Sequence, residues 1–301
     1  MAVAPRVIVG IGEVLWDLLP SGKVLGGAPA NFVYHAGAIG GEDVQPLLVS
    51  CVGKDALARE IFEQWEDLGM SREFLSVDPT HPTGTVSVTI SPQGQPSYDI
   101  GVNVAWDFLP ESPQLRELAA TADAVCFGTL AQRAPASRKT IQTFLRGVGP
   151  DALRILDINL RAPFYSRAII EESLLLAKIL KINQEELSVL SGMFSIGGGE
   201  ENVAAELMHR FALHWIIFTK GEKGSVLYGR WRKFVYTGSP VKVVDSIGAG
   251  DAFAAAIAVG MLRDMPAENL NECANRLAAY VCTQSGAMPP VPDDFRRLFH
   301  S

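Results

Sequence analysis

Short, continuously apolar segments recur along this chain, and segments whose apolar residues have helical spacing separate them. A strand that is apolar throughout is covered on both faces, whereas a strand with one wet face alternates polar and apolar residues. Such strands, separated by helices, form βαβ units and predict an α/β fold with a doubly wound, mostly parallel sheet and helices on both faces. The predicted strands are RVIVGIG at 6–12, PLLVSCVG at 46–53, DAVCFG at 123–128, RILDIN at 154–159, AKILKIN at 177–183 and HWIIFTKG at 214–221.

Helices are predicted between these strands. The clearest lies at 54–69, where Leu57, Ile61 and Trp65 recur at helical spacing and Gly69 can end the helix. Residues 200–213 and 271–286 show the same spacing of apolar side chains.

Residues 83–102 break this rhythm, because polar and apolar residues alternate there around SPQGQP at 91–96. This pattern predicts a β-hairpin with one face that is wet or covered by a mobile element. Residues 13–27 are a candidate source of further strands nearby. We therefore expect a single α/β domain over 1–301, with a small β lid from about 13–25 and 83–106 inserted in it.

The charge balance argues against a nucleic-acid partner. The chain has 26 Lys and Arg residues against 33 Asp and Glu residues, a formal net charge of −7. Such a surface repels a phosphate backbone, although one small phosphorylated ligand can still bind at a locally positive site.

The cysteines and the apolar segments indicate where in the cell the protein is located. The four cysteines form no CxxC pair and no His cluster accompanies them, which argues against a zinc site or a disulfide framework and favours a reducing cytoplasm. Glu13 and Asp17 interrupt the first apolar run, so no signal peptide is predicted. No uncharged apolar stretch approaches 18 residues. We expect a cytoplasmic protein without a membrane partner.

The segment GAGDAF at 248–253 places Gly248, Ala249 and Gly250 directly before Asp251, at the predicted start of a helix. Backbone N–H groups at such a start can approach an anion at the positive end of the helix dipole. A carboxylate beside them suits a base that takes a proton from a hydroxyl group attacking a phosphate. The alternative is that Asp251 only caps the helix, which Asp does well.

A second glycine-rich turn, LGGAPANFVYHAG at 25–37, also opens a predicted helix. Asn31 lies on its first turn, and its amide offers both the donors and the acceptor that sugar hydroxyl groups need. Asp17 follows the first strand and can accept from two hydroxyl groups. The alternatives are a local helix cap for Asn31 and a solvated loop carboxylate for Asp17.

Polar residues also follow three predicted strands, at the sheet edge where α/β proteins bind ligands. Glu186 can hold a water of hydrated Mg²⁺, although Asn183 and Glu186 also have the spacing of a capping box. In DINLRAP at 157–163, Arg161 suits a phosphate or carboxylate, or a surface salt bridge. The segment TKGEKG at 219–224 suits a turn close to a nucleotide, or a plain β-turn.

Two common nucleotide-binding motifs are missing. The chain has no GxxxxGK[ST], and both GIGEVL at 10–15 and GAGDAF lack the third glycine of GxGxxG. Hydride transfer with a dinucleotide is therefore disfavoured.

Four of these segments resemble the motifs of the ribokinase-like, PfkB-type carbohydrate kinases, and they occur in the family's order: GGAPANFVYHAGAIGG at 26–41, NQEE at 183–186, TKGEKG at 219–224 and DSIGAGDAFAAAI at 245–257. The resemblance covers nearly the whole chain and is greatest to fructokinases, through GGAPAN and DINLR. It implies a ribokinase-like fold and ATP-dependent phosphorylation of a sugar, with fructose to fructose 6-phosphate as first choice. It also implies sugar and ATP as partners and Mg²⁺ as cofactor, and it leaves a homodimer open.

The resemblance also assigns roles to individual residues. Asp251 would be the catalytic base, and the amides of Gly248, Ala249 and Gly250 would form the anion hole. The other assignments fall into groups by ligand. They are Asp17, Gly27, Asn31 and Arg161 for the sugar, Asn183, Thr219, Gly221, Gly224 and Asn275 for ATP, Glu186 for Mg²⁺ through water, and Asp245 with 285–287 for a monovalent cation, K⁺ being the candidate.

The chain departs from the family pattern in places. DSIGAGD stands where DTTGAGD is commoner, which leaves cation dependence open, and Tyr34 and His35 are bulky where small residues are usual. A kinase for ribose, another ketose or adenosine is the alternative enzyme. A non-catalytic regulator that binds sugar or nucleotide is the alternative class, because a fold does not fix a function.

Overall fold

A computed structural model describes residues 4–19, 22–90 and 96–299 of the chain. Strands and helices alternate along most of it. The strands are β1 (Arg6–Ile11), β2 (Leu15–Leu19), β3 (Gly22–Gly26), β4 (Val44–Gly53), β5 (Leu75–Asp78), β6 (Gly84–Ile90), β7 (Pro96–Ile100), β8 (Ala124–Phe127), β9 (Leu153–Asp157), β10 (Ile179–Asn183), β11 (Trp215–Thr219), β12 (Gly224–Gly229) and β13 (Lys233–Thr237). The α-helices are α1 (Ala28–Gly40), α2 (Ala56–Asp67), α3 (Pro113–Thr121), α4 (Pro135–Gly147), α5 (Arg167–Leu176), α6 (Gln184–Phe194), α7 (Glu200–Phe211), α8 (Ala249–Leu262), α9 (Ala267–Cys282) and α10 (Asp293–Leu298).

The larger sheet has nine strands in the order β13-β12-β11-β10-β9-β8-β1-β4-β5. Neighbours from β11 to β5 run parallel, and β12 and β13 are antiparallel at one edge. All six predicted strands lie in this sheet, so the predicted mostly parallel architecture is confirmed. The strand order reverses at β1, between β4 and β8, and such a switch point opens a crevice at the carboxyl ends of the strands.

Helices cover both faces of this sheet, as predicted. Ile8 of β1 and Ile155 of β9 belong to the core formed with α1, α2, α8 and α9. Their neighbours Val9 and Leu156 belong to the core on the opposite face, formed with α3 to α7. Alternate residues thus face two apolar layers, which explains why these strands are apolar throughout.

A second sheet of four strands has the order β3-β2-β6-β7. Strands β6 and β7 form the hairpin predicted over 83–102, while most of its predicted turn, 91–95, lies outside the described residues. Strands β2 and β3 come from the segment 13–27. Asp17 lies within β2, where it pairs with Val24, so the loop alternative for this residue is wrong.

Arg133 joins this second sheet to the body of the protein. Its guanidinium forms two hydrogen bonds of 2.8 Å with the carboxylate of Asp107 and also donates to the carbonyl of Gly101, just after β7. The same guanidinium lies 4.1 Å from the ring centroid of Trp106 and 4.6 Å from that of Phe164. The Arg133 and Asp107 side chains are only 8% and 4% exposed, so this is a buried ion pair.

The cysteines and the helix lengths can be compared with the sequence-based expectations. All four cysteines are free, and three of them are buried. Within the described ranges, no helix is both long enough and apolar enough to cross a bilayer.

We predict that Asp107→Ala lowers the free energy of unfolding by about 3–5 kcal/mol, because it leaves a buried guanidinium without its counter-charge. Urea unfolding at neutral pH measures this loss. Glu111→Ala is the matched control, since it removes the exposed ion pair of Glu111 with Lys139 and should cost about 0–1 kcal/mol. Equal effects of the two substitutions would contradict the anchoring role of Arg133.

Candidate active site

Asp251 lies at the third position of α8 and does not cap it. The helix starts after Gly248, whose φ of +79° and whose position against the carbonyl of Ala287 exclude a side chain, since an added Cβ would be 2.6 Å from that oxygen. No side chain makes a capping hydrogen bond at this helix start. Instead, Oδ2 of Asp251 accepts a 2.7 Å hydrogen bond from Nδ2 of Asn31. The capping alternative for Asp251 is therefore wrong.

Asn31 connects the two glycine-rich turns. It lies in α1, which packs against α8, and it is 3% exposed. Its Nδ2 is used by Asp251, whereas its Oδ1 is buried and has no partner among the described protein atoms. The local-cap alternative for Asn31 fails as well, because the side chain bonds across 220 residues of sequence. A buried acceptor without a partner is costly, so this oxygen is suited to receive a hydroxyl group of a ligand.

Glu13 lies beside the start of α1, and sequence reasoning did not select it. Gly27, with φ +111°, precedes this helix, and a Cβ there would be 2.5 Å from the carbonyl oxygen of Glu13. The Glu13 carboxyl lies beside the backbone N–H groups of Glu13 and Ala28, and its Oε2 is buried without a hydrogen-bond partner among the described protein atoms. Burial raises the pKa of Glu13 to about 7, although the nearby backbone N–H groups and the charges of Arg161 and Arg133 lower it.

Glu13, Asn159 and Asp251 line one pocket together with residues at the start of α1 and at the ends of β8 and β9. Its other lining residues are Ala28, Pro29, Cys126, Phe127, Gly128, Thr129, Leu130 and Asp157. The pocket therefore lies at the switch point between β1 and β8, where α/β sheets bind ligands.

A buried ion pair lies beneath this pocket. Asp157 and Lys181 are register partners on β9 and β10, and the Lys181 ammonium is 2.7 Å from Oδ2 of Asp157. A Cβ on Gly250 would be 3.1 Å from the Lys181 Nζ. Gly250 therefore brings the backbone of α8 close to a buried cation. Burial lowers the pKa of Lys181, but the negative charges of Asp157, Asp251 and Glu186 outweigh this and raise it, so the ammonium stays charged.

The same cluster sets the protonation of Asp251. Burial raises its pKa from 3.8 to about 7, and the nearby charge of Asp157 adds to this. The hydrogen bond from Asn31 and the charge of Lys181 act in the opposite direction. A carboxylate that takes up and releases a proton near neutral pH is suited to general base catalysis.

Asp17 and Arg161 lie at the side of the site next to the smaller sheet. Burial raises the pKa of Asp17 to about 6, the charge of Arg161 lowers it and that of Asp245 raises it. Arg161 is exposed and forms no ion pair with any described residue, so the salt-bridge alternative finds no partner there. The two side chains thus offer a carboxylate and an unpaired cation to the same region.

Asn183 and Glu186 do form the capping box at the start of α6. Oδ1 of Asn183 accepts from the N–H groups of Glu185 and Glu186, and Oε2 of Glu186 accepts from the N–H of Asn183. Oε1 of Glu186 also accepts a 3.1 Å hydrogen bond from the N–H of Leu160, next to Arg161. The structural alternative is therefore correct here, and it is compatible with a ligand role because the carboxylate keeps further lone pairs.

The four residues assigned to ATP beyond Asn183 lie together at the end of β11 and on α9. Thr219 ends β11, where it is the register partner of Asn183. Gly221 begins a 3₁₀ turn that Gly224 ends. Asn275 of α9 donates to Oγ of Ser225, the residue after Gly224, at 2.7 Å.

Asp245 joins the two segments assigned to a monovalent cation. Its Oδ1 accepts from the N–H of Ile247 at 3.0 Å, and its Oδ2 accepts from that of Gly286 at 3.2 Å. Ala287 of the second segment packs against Gly248 at the start of α8. This loop pair therefore directly supports the first turn of α8.

We predict that Asp251→Asn stabilises the protein at pH 8. Because the pKa of Asp251 is raised on folding, the folded chain keeps a proton between about pH 4 and 7 that the unfolded chain releases, and stability falls as the pH rises through this window. The variant should gain about 1–3 kcal/mol at pH 8 and little at pH 4, measured by urea unfolding. The exposed Asp67→Asn is the control. A gain that does not depend on pH would contradict the buried, partly protonated carboxyl.

Known proteins resemble the chain over its whole length. The pfkB family carbohydrate kinase profile matches residues 21–294. The fructokinase of Salmonella typhimurium is 30% identical over 312 residues, covering 96% of this chain and 98% of that protein. The fructokinase of Klebsiella pneumoniae is 28% identical over 307 residues, with 95% and 97% covered.

The fold also resembles that of a solved sugar kinase. The crystal structure of an uncharacterized sugar kinase from Pyrococcus horikoshii in complex with ATP superimposes with a TM-score of 0.81 at 26% identity, covering 97% of this chain and 99% of that one. Together with the match over residues 21–294, this confirms the resemblance found in the motifs. The chain belongs to the pfkB family of carbohydrate kinases and has their ribokinase-like α/β fold.

Proposed function

We propose that this carbohydrate kinase transfers the γ-phosphoryl group of ATP to a hydroxyl group of a sugar, with fructose as the first candidate. The observation that carries the proposal is the hydrogen bond between Asn31 and Asp251, which brings the predicted sugar-binding residue and the predicted base into contact at one pocket. The similarity to two bacterial fructokinases supports fructose as the acceptor.

In this mechanism Asp251 takes the proton of the attacking hydroxyl group. Asn31 holds the Asp251 carboxylate through Nδ2 and keeps Oδ1 for a second sugar hydroxyl. The N–H groups of Gly248, Ala249 and Gly250 at the start of α8 would face the anion and stabilise charge on the phosphoryl group during transfer, and that of Ala249 makes only a long 3.4 Å bond to the carbonyl of Ser246. Lys181 keeps a positive charge under this turn, which limits the repulsion between phosphate and the buried carboxyls.

The sugar would lie between the base and the smaller sheet. Asp17 on β2 and Gly27 at the start of α1 bind its hydroxyl groups, and the unpaired Arg161 binds the sugar or the incoming phosphate. The four-stranded sheet of β2, β3, β6 and β7 acts as the lid over this side. A lid that excludes water favours transfer to the sugar over hydrolysis of ATP.

ATP would occupy the side of the sheet at Asn183, Thr219, Gly221, Gly224 and Asn275. The sugar kinase from Pyrococcus horikoshii was crystallised with ATP on the same fold, which supports ATP as the ligand, and the motif resemblance assigns it to this edge. Mg²⁺ supplies the positive charge that neutralises the phosphate oxygens during transfer. Glu186 fits contact with Mg²⁺ through water, because its two oxygens already accept N–H groups of Asn183 and Leu160. Asp245 and 285–287 would hold K⁺.

A non-catalytic regulator of the same fold is the second candidate. A protein that only binds sugar or nucleotide gains nothing from burying Asp251 beside Asp157, because the two negative charges repel each other. The energetic cost of this repulsion is explained if Asp251 is needed as the base for phosphoryl transfer. The pocket therefore favours the kinase.

We predict that Asp251→Asn reduces turnover by about 10²–10⁴-fold, because an amide cannot accept the proton and general base catalysis contributes a factor of that size. ATP binding should be unchanged or tighter, since a negative charge near the phosphates is removed. A coupled ADP-release assay and calorimetric titration with ATP measure the two effects. Near wild-type turnover of the folded variant would rule out the base.

We predict that fructose supports faster ADP release than ribose, glucose or adenosine when each is supplied at the same concentration with ATP and Mg²⁺. The reason is the combination of GGAPAN at 26–31 with DINLR at 157–161, the fructokinase form of both segments. A panel assay of kcat/KM decides this. A preference for ribose or adenosine would replace the substrate and leave the kinase activity in place.

A further inference from the structure

Glu13 carries an unsatisfied group that the proposed mechanism does not use. Its side chain is 4% exposed and lines the same pocket as Asp251, and its Oε2 has no hydrogen-bond partner among the described protein atoms. Ala28, the first residue of α1, lines the same pocket. No described protein group satisfies Oε2, so this oxygen needs a partner from outside the protein.

The surroundings of Oε2 indicate the chemistry of its partner. Asp251 and Asp157 are acidic residues that also line the pocket, and both lie in the field of Lys181. Arg161 and Arg133 also act on Glu13, but Arg133 is already paired with Asp107, and an anion next to Glu13 would add a further negative charge to the acidic cluster. A hydroxyl group is neutral and can donate to an ionised carboxylate or accept from a protonated one, so it satisfies Oε2 in either state.

We propose that Glu13 is a further substrate-contacting residue, which binds one hydroxyl group of the sugar through Oε2. The inference rests on the proposed function, and it adds a specificity determinant to it. Asn31 Oδ1 is also a buried acceptor without a partner among the described protein atoms, and it lies on α1, whose first residue, Ala28, lines the same pocket as Glu13. The structure thus provides two acceptors, one from the segment after β1 and one from α1, for two hydroxyl groups of one ligand.

This assignment has a consequence for selectivity. A site with a buried hydrogen-bonding group rejects an analogue that lacks the matching hydroxyl, because the group is then left without a partner. One deoxy analogue of the preferred sugar should therefore be a poor substrate because of Glu13 alone. The other deoxy analogues should be insensitive to Glu13.

The test combines variants with analogues. The wild type, Glu13→Gln and Glu13→Met are assayed for kcat/KM with the preferred sugar and with each monodeoxy analogue. The wild type should disfavour one analogue by about 10- to 100-fold, and Glu13→Met should lose that discrimination while its KM for ATP stays the same. Glu111→Gln, at an exposed site, is the control for the change of charge. Glu13→Gln keeps the size and shape of the side chain, so it provides a folded variant if Glu13→Met unfolds, and a reduced discrimination is expected for it.

Two results would overturn the proposal. A loss that is equal for the sugar and all its analogues would mean that Glu13 only supports α1 or holds a water, and unchanged kinetics would mean that it is not in the site. If the wild type phosphorylates no sugar, the proposed function fails, and calorimetric titration of sugars without ATP then tests Glu13 separately. Sugar binding that is weakened by Glu13→Gln supports the contact, whereas no binding, or equal binding by the variant, overturns it.

Discussion

The close packing of α8 determines where the site lies. Its residues from Ala252 to Gly260 are all buried, and most of them are alanine. Small side chains let α1 approach on one side and α9 on the other, and Gly260 lies directly against Leu270 of α9. A helix held in this way cannot rotate or slide without breaking the core, so the carboxyl at its third position is fixed to within the tolerance of core packing. The alanine-rich run in the sequence therefore positions Asp251 as well as filling space.

Several buried acidic side chains lie close together around the start of α8, and their mutual repulsion costs free energy. Asp157, Glu186 and Asp251 all act on a single buried ammonium, that of Lys181. Burial of more acid than base raises the pKa of Asp251 and of Glu13 and makes the folded state less stable as the pH rises. Neutral residues would pack there at lower cost, so these carboxyls burden the fold and fit a chemical role.

Much of this fold could be predicted from local sequence, and the site could be predicted in part. Continuous apolar runs identified the six central strands, and alternation identified the β6–β7 hairpin, because both patterns report directly which faces are buried. Glu13, Asp157 and Lys181 were harder to recognise as site residues. Lys181 stands alone in an apolar strand, which is a visible signal, but its partner depends on the register of β9 and β10, and register is a property of the folded sheet. Likewise, a spacing of three residues at Asn183 and Glu186 fits both a cap and a ligand site, and only the hydrogen bonds show that the cap is present.

The contact of Arg133 with Gly101, Asp107 and Phe164 has a mechanical consequence. It ties the end of β7 to the body of the protein and to the loop that follows Asn159 and Arg161. The four-stranded sheet could swing about a pivot at or beyond residue 101 only if the Arg133 guanidinium left its contacts. It would have to leave the rings of Trp106 and Phe164 and the carboxylate of Asp107. Any hinge for such a swing would therefore lie on the strand side of Gly101. The segment after Gly101 is held by the same guanidinium that contacts Phe164, so it is fixed relative to the loop that carries Arg161.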